Sequence, residues 1–69
     1  MFEKVTLPAA RKIANLSQKA LAEKVGVSES TVYNWEKGNT EPTVSQAKLI
    51  AEVCNRPLDS IIFLVSDTV

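Results

Sequence analysis

Glu29, Ser30, Tyr33 and Asn34 gather a carboxylate, a hydroxyl, a phenol and a carboxamide in one short segment. At helical spacing they lie on the side away from Val32 and Trp35. Such groups donate and accept hydrogen bonds in fixed directions. That is how base edges are read. A carboxylate accepts from the cytosine amino group, a carboxamide can pair at two points with adenine, and a hydroxyl works either way. Tyr33 suits a phosphate or a thymine methyl. No Arg lies on this segment, so the commonest guanine contact is open only through Lys37. Plainer roles exist beside these. Glu29 suits the positive end of any helix, and Asn34 can be a solvated polar residue. Trp35 invites a stacking role, but its register with Val32 places it in a core.

Two helices with a tight turn must position these groups. The segment is QKALAEKVGVSESTVYNW, Gln18 to Trp35. Ala22 is small enough for close helix approach. Gly26 stands where the turn needs a positive φ. Leu21, Val25, Val27, Val32 and Trp35 converge between the helices. This is the pattern of a helix-turn-helix, whose second helix lies in the DNA major groove. Ser17 can cap a helix over 18–25, and Ser28 one over 29–37 that Gly38 ends. The first of these opens with Gln18 and free backbone amides, a ready phosphate site. Ser17 joins Gln18 there. Asn39, Thr40 and Thr43 follow the second helix, where backbone amides can hold another phosphate. Lys12, Lys19 and Lys37 are candidates for a local positive edge. Phosphate contacts set register and affinity rather than sequence choice.

Composition bounds the alternatives. The chain has 69 residues, one domain near the lower limit for a single core, so a second copy would add welcome burial. Eight basic residues balance eight acidic ones. Any positive face must therefore be local, and sequence-independent DNA affinity modest. With no His and the single Cys54, zinc-finger and thiol–His chemistry are not expected. Cys54 reads as a small buried hydrophobe. No Gly-rich phosphate loop and no nucleophile–base spacing suggests an enzyme. No cofactor, metal or small-molecule ligand is evident. No apolar run approaches the ~18 residues of a membrane span. The N-terminus lacks an apolar signal region, so a cytoplasmic setting is expected.

The remaining elements follow from caps and periodicity. Thr6 can cap a first helix from about Leu7 to Asn15, with Pro8 in its first turn. Ile13 falls off its apolar stripe. Thr43 and Gln46 have capping-box spacing before a helix from about Val44 to Asn55, with Val44, Ala47, Ile50, Ala51 and Cys54 inward. Pro57 can open a short fifth helix through about Ile62. The ends FEKVT and FLVS can pair as a short antiparallel ribbon. Leu16, Leu21, Val25, Val32, Trp35, Ile50 and Ile61 form the expected core.

From about Leu7 to Ile62 the chain resembles the Cro/repressor-type, or XRE, helix-turn-helix family. The resemblance rests on Arg11, Leu16-Ser17-Gln18, Leu21-Ala22, Gly26, Trp35-Glu36-Lys37-Gly38, Pro42 and the amphipathic fourth helix. It implies an all-α, compact five-helix lambda-repressor-like domain over 1–69, with the helix-turn-helix at 18–37. It also implies a homodimer that binds a double-stranded DNA operator and usually represses transcription. In this family the Gln matching Gln18 meets the DNA backbone or an outer base, and the Arg matching Arg11 pairs with the Glu matching Glu36. Arg11 could instead meet a phosphate; its planar fork suits a carboxylate.

A symmetric pair of recognition helices should read a palindrome. Leu58, Ile62, Phe63, Leu64 and Val65 form the expected dimer surface, since a lone domain of this size has little core to cover them. The alternative is a tail folded back on Phe2 and Val5 in a monomer. The rival function is an antitoxin-type or purely protein-binding module, which the zero net charge and the acidic Glu29 keep open.

Overall fold

The structure, a computed structural model, describes residues 2–64. The elements run β1 (Val5–Thr6), α1 (Leu7–Ile13), α2 (Gln18–Val25), α3 (Glu29–Lys37), α4 (Val44–Val53), a single 3₁₀ turn (Leu58–Ser60) and β2 (Ile61–Ile62). Among the described residues there are thus four α-helices, one 3₁₀ turn and a strand pair, rather than the five helices expected. No helix among the described residues is long and apolar enough to cross a membrane.

Local chemistry sets the helix ends. Ser17 Oγ accepts from Ala20 N at 3.0 Å, and Ser28 Oγ from Thr31 N at 3.2 Å. Thr43 and Gln46 form a reciprocal capping box, each side chain accepting from the other's amide. Thr6 occupies the cap position of α1, but its side chain makes no capping bond, so Pro8 is left to favour that start. α1 and α4 stop two residues earlier than their apolar periodicity suggests, because Asn15 and Asn55 turn left-handed, at φ 60 and 56. Asn tolerates that region better than other residues with a Cβ.

α2 packs on both α3 and α4 and carries the centre of the core. Leu7, Ala10, Leu21, Ala22, Val25, Val32, Trp35, Ile50, Ala51, Cys54 and Ile61 are buried there. Leu16, expected in that group, is only partly buried and packs against its edge with Val27, Val53 and Phe63. Val44, expected inward, is 71% exposed. It stands in the first turn of α4 between exposed Thr43 and Ser45, ahead of the stripe that enters the core. Burial pushes the Cys54 thiol above its usual range, which fits an inert core residue.

The strand pair observed differs from the expected antiparallel ribbon of FEKVT with FLVS: it uses Ile61–Ile62, while Val65 and Ser66 of FLVS lie outside the described residues. β1 and β2 pair in parallel, Val5 with Ile61 and Thr6 with Ile62. Arg56 bridges the two ends. Its Nη2 donates to Glu3 O at 2.6 Å and its Nε to Ser60 Oγ at 2.9 Å. Glu3 precedes β1, and Arg56 precedes the turn that leads into β2, so the bridge lies at the end where both strands begin. The same pairing ends the expected fifth helix after one turn: Ile61 is drawn into extended backbone, φ −111, ψ 123. β-branched residues favour that state. Ile61 then faces the core and Ile62 solvent, the period of two that a strand imposes.

Candidate nucleic-acid interface

α2 and α3 meet across Gly26, at φ 86, and bury Leu21, Ala22, Val25, Val32 and Trp35 between them and α4. Burial of Val32 and Trp35 turns Glu29, Ser30 and Tyr33 outward as exposed residues, with Asn34 half-buried beside them. Glu29 and Ser30 occupy the first turn of α3, the part of a recognition helix that reaches base edges. Ser30 Oγ lies 3.1 Å from the capping Ser28 Oγ, which holds it near the helix start. Lys37 Nζ sits over the Tyr33 ring, 5.5 Å from its centre. The ammonium and the phenol therefore form one unit one helical turn apart.

The end of α3 is tied to α1 and α2 through Glu36. Arg11 Nε donates to Glu36 Oε2 at 2.6 Å and Arg11 Nη2 to Glu36 Oε1 at 3.3 Å. The third arm, Nη1, donates to Leu16 O at 2.9 Å, in the link between α1 and α2. The two side chains are only 11% and 7% exposed. Gln18 Nε2 joins them, donating to Glu36 Oε1 at 3.0 Å. One carboxylate thus fixes the first helix, the start of the second and the end of the third. Among the described residues, every buried side-chain nitrogen and oxygen has a hydrogen-bond partner.

The Gln18 bond was not legible in the sequence, since no local spacing joins positions so far apart. It spends one of the Gln18 amide hydrogens. Ala20 N is taken by the Ser17 cap, so a phosphate at the start of α2 is left the amides of Gln18 and Lys19, the other amide hydrogen and the Ser17 hydroxyl.

Gly38, at φ 79, ends α3 with paired bonds: Gly38 N to Trp35 O at 3.2 Å and Asn39 N to Asn34 O at 2.9 Å. This is the Schellman arrangement, which brings the residue after the glycine back beside the helix's last turn. Thr40 N also points at Asn34 O, at 3.5 Å, and Thr43 N donates to Gln46 Oε1. The amides of Asn39, Thr40 and Thr43 are therefore committed inside the protein. At this loop a phosphate is left the exposed side chains of Asn39 and Thr40 and the Thr43 hydroxyl, rather than the amides expected.

A Cβ on Gly38 would lie 3.3 Å from Leu64 Cβ. Leu64 thus lies against the end of α3. Leu58, Ile62 and Leu64 are 37%, 45% and 43% exposed, while Phe63 is half-buried against the core. Val65, the last residue assigned to the dimer surface, lies outside the described residues.

A family model described as helix-turn-helix matches residues 9–61. No curated protein and no solved structure matches the chain.

Proposed function

We propose that this chain, which belongs to the helix-turn-helix family of DNA-binding transcription regulators, is a non-enzymatic cytoplasmic repressor that binds a palindromic operator as a homodimer. One observation carries the reading. The outer face of α3 is polar and exposed, while the buried Glu36 at its end is held by Arg11 and Gln18. A helix fixed in this way enters a groove without paying for its own ordering.

In this reading Glu29, Ser30, Tyr33 and Asn34 face base edges. Ser17, Gln18, Lys37, Asn39, Thr40 and Thr43 lie toward phosphates on either side. The roles separate in energy: a good base contact discriminates by about 1–3 kcal/mol, and a phosphate contact changes affinity for every sequence.

One recognition helix spans too few base pairs to select a site in a genome. Two copies about a two-fold axis read half-sites about one turn, ~34 Å, apart. Leu58, Ile62 and Leu64 offer the apolar surface for that pairing, and Leu64 abuts Gly38 at the end of α3. A dimer formed there sets the spacing of the two recognition helices directly.

The test combines sedimentation at micromolar concentration with an operator mobility shift over a salt series. Wild type sediments as a dimer and shifts its operator in a strongly salt-dependent way. Leu64→Asp sediments as a monomer and loses most operator affinity. A monomeric wild type, with operator binding untouched by Leu64→Asp, contradicts the dimer surface. Absence of a specific shift at any salt makes the chain a protein-binding module instead.

A further inference from the structure

We propose that Asn39 is a positioning residue for base recognition: it holds the Asn34 carboxamide in one of its two orientations and so sets which class of base Asn34 admits. The inference rests on the reading that Asn34 faces the DNA.

The carboxamides are joined by a bond from Asn39 Nδ2 to Asn34 Oδ1 at 3.2 Å. The backbone builds this meeting. Gly38 reverses the chain in left-handed backbone, and Asn39 N returns to Asn34 O at 2.9 Å. Two bonds, one main-chain and one side-chain, therefore link the same two residues. Asn39 is exposed and Asn34 half-buried. In water such an amide pair adds little to stability, because solvent competes for both groups. Its consequence is directional.

A terminal amide torsion is roughly two-fold, and a half-turn exchanges oxygen for NH₂. At one place in the major groove, adenine and cytosine show an amino donor, whereas guanine and thymine show a carbonyl acceptor. A carboxamide free to turn satisfies either and selects poorly. With Oδ1 accepting from Asn39 Nδ2, the Asn34 NH₂ is the end turned away, and among the described residues no bond occupies it. At that place the held amide favours a carbonyl, guanine O6 or thymine O4, over an amino group; purine N7, an acceptor in both adenine and guanine, does not enter this choice. The two-point adenine pairing expected for Asn34 from its residue type is therefore not the one this geometry favours. An Asn39 that touched only phosphate would change affinity and leave base preference alone.

The experiment is base preference at each operator position, measured by competitive binding for wild type, Asn34→Ala, Asn39→Ala, Asn39→Asp and Asn39→Gln, with melting temperatures alongside. Wild type prefers guanine or thymine at one position of the half-site, and Asn34→Ala erases that preference. Asn39→Ala reduces it by at least about threefold at the same position. Asn39→Asp, which accepts but cannot donate, turns the amide over and moves the preference toward adenine or cytosine, whatever its added charge does to overall affinity. Asn39→Gln keeps a donor and restores part of the wild-type preference. Melting temperatures stay at the wild-type value throughout.

An Asn39→Ala protein that binds all sequences more weakly, with every base preference intact, overturns the proposal. So does a wild-type preference for adenine or cytosine at the Asn34 position. If Asn34→Ala changes no base preference, the base-reading role of Asn34 fails, and the proposal falls with it.

Discussion

Arg11→Ala is expected to lower unfolding stability by about 3–5 kcal/mol, the range for breaking one side of a buried ion pair. The substitution removes both bonds to Glu36 and the bond to Leu16 O. It leaves a carboxylate 7% exposed, with the Gln18 amide as its remaining side-chain partner among the described residues. Most of the loss comes from that stranded charge, not from the intrinsic worth of the pair. Joint replacement of Arg11 by Met and Glu36 by Leu should therefore recover much of it. Arg11→Lys keeps the charge without the planar fork and falls between. Urea denaturation of the four proteins gives the order, with Arg11→Ala already partly unfolded before urea is added, because the loss approaches the whole stability of so small a domain. DNA affinity falls with stability, because α3 loses its tie to α1. An Arg11→Ala protein with wild-type stability and weakened DNA binding would assign Arg11 to a phosphate instead.

Leu21→Ala is expected to leave the domain largely unfolded at room temperature. Leu21 is fully buried, and α2 contacts both α3 and α4. Removing such a side chain costs about 2–5 kcal/mol, depending on how far the cavity closes. A core of this size rarely supplies more than about 3–5 kcal/mol in all. Ile13→Ala is the control: Ile13 is 63% exposed, and its loss should stay within about 0.5 kcal/mol. Circular dichroism melts of the two variants compare them. Equal melting temperatures would mean that the core is not centred on α2.

The helix-turn-helix was the most legible part of the chain because its signals are local. Ser17, Gly26, Ser28 and Gly38 stand at the ends of α2 and α3, and each acts on residues within one turn. The C-terminal part was less legible because distant partners decide it. Pro57 and the residues after it are compatible with a helix, but Ile61 lies next to Val5 and takes the strand instead. The parallel pairing, like the bond from Arg56 to Glu3 O beside it, joins segments far apart in sequence. Val44 falls on the apolar face by periodicity, but it stands in the first turn of α4, ahead of the stripe that enters the core.

At the site, residue type marked the outer face of α3, and burial of Val32 and Trp35 explains that exposure. Bonds among polar side chains were not legible. The Gln18–Glu36 contact needs the packed fold. The Asn34–Asn39 contact needs the Gly38 reversal, a local signal that could have placed the two side by side.

The central claim is that the outer face of α3 reads base pairs. Selection of bound DNA from a random pool, run in parallel with wild type, Glu29→Gln and Asn34→Ala, tests it most directly. Wild type should enrich a two-fold-symmetric site with half-sites about one helical turn apart. Each variant should enrich a site changed at one base pair per half-site, with discrimination there altered by about 1–3 kcal/mol. Enrichment of the same site by all three proteins, or of no site by wild type, would contradict the claim.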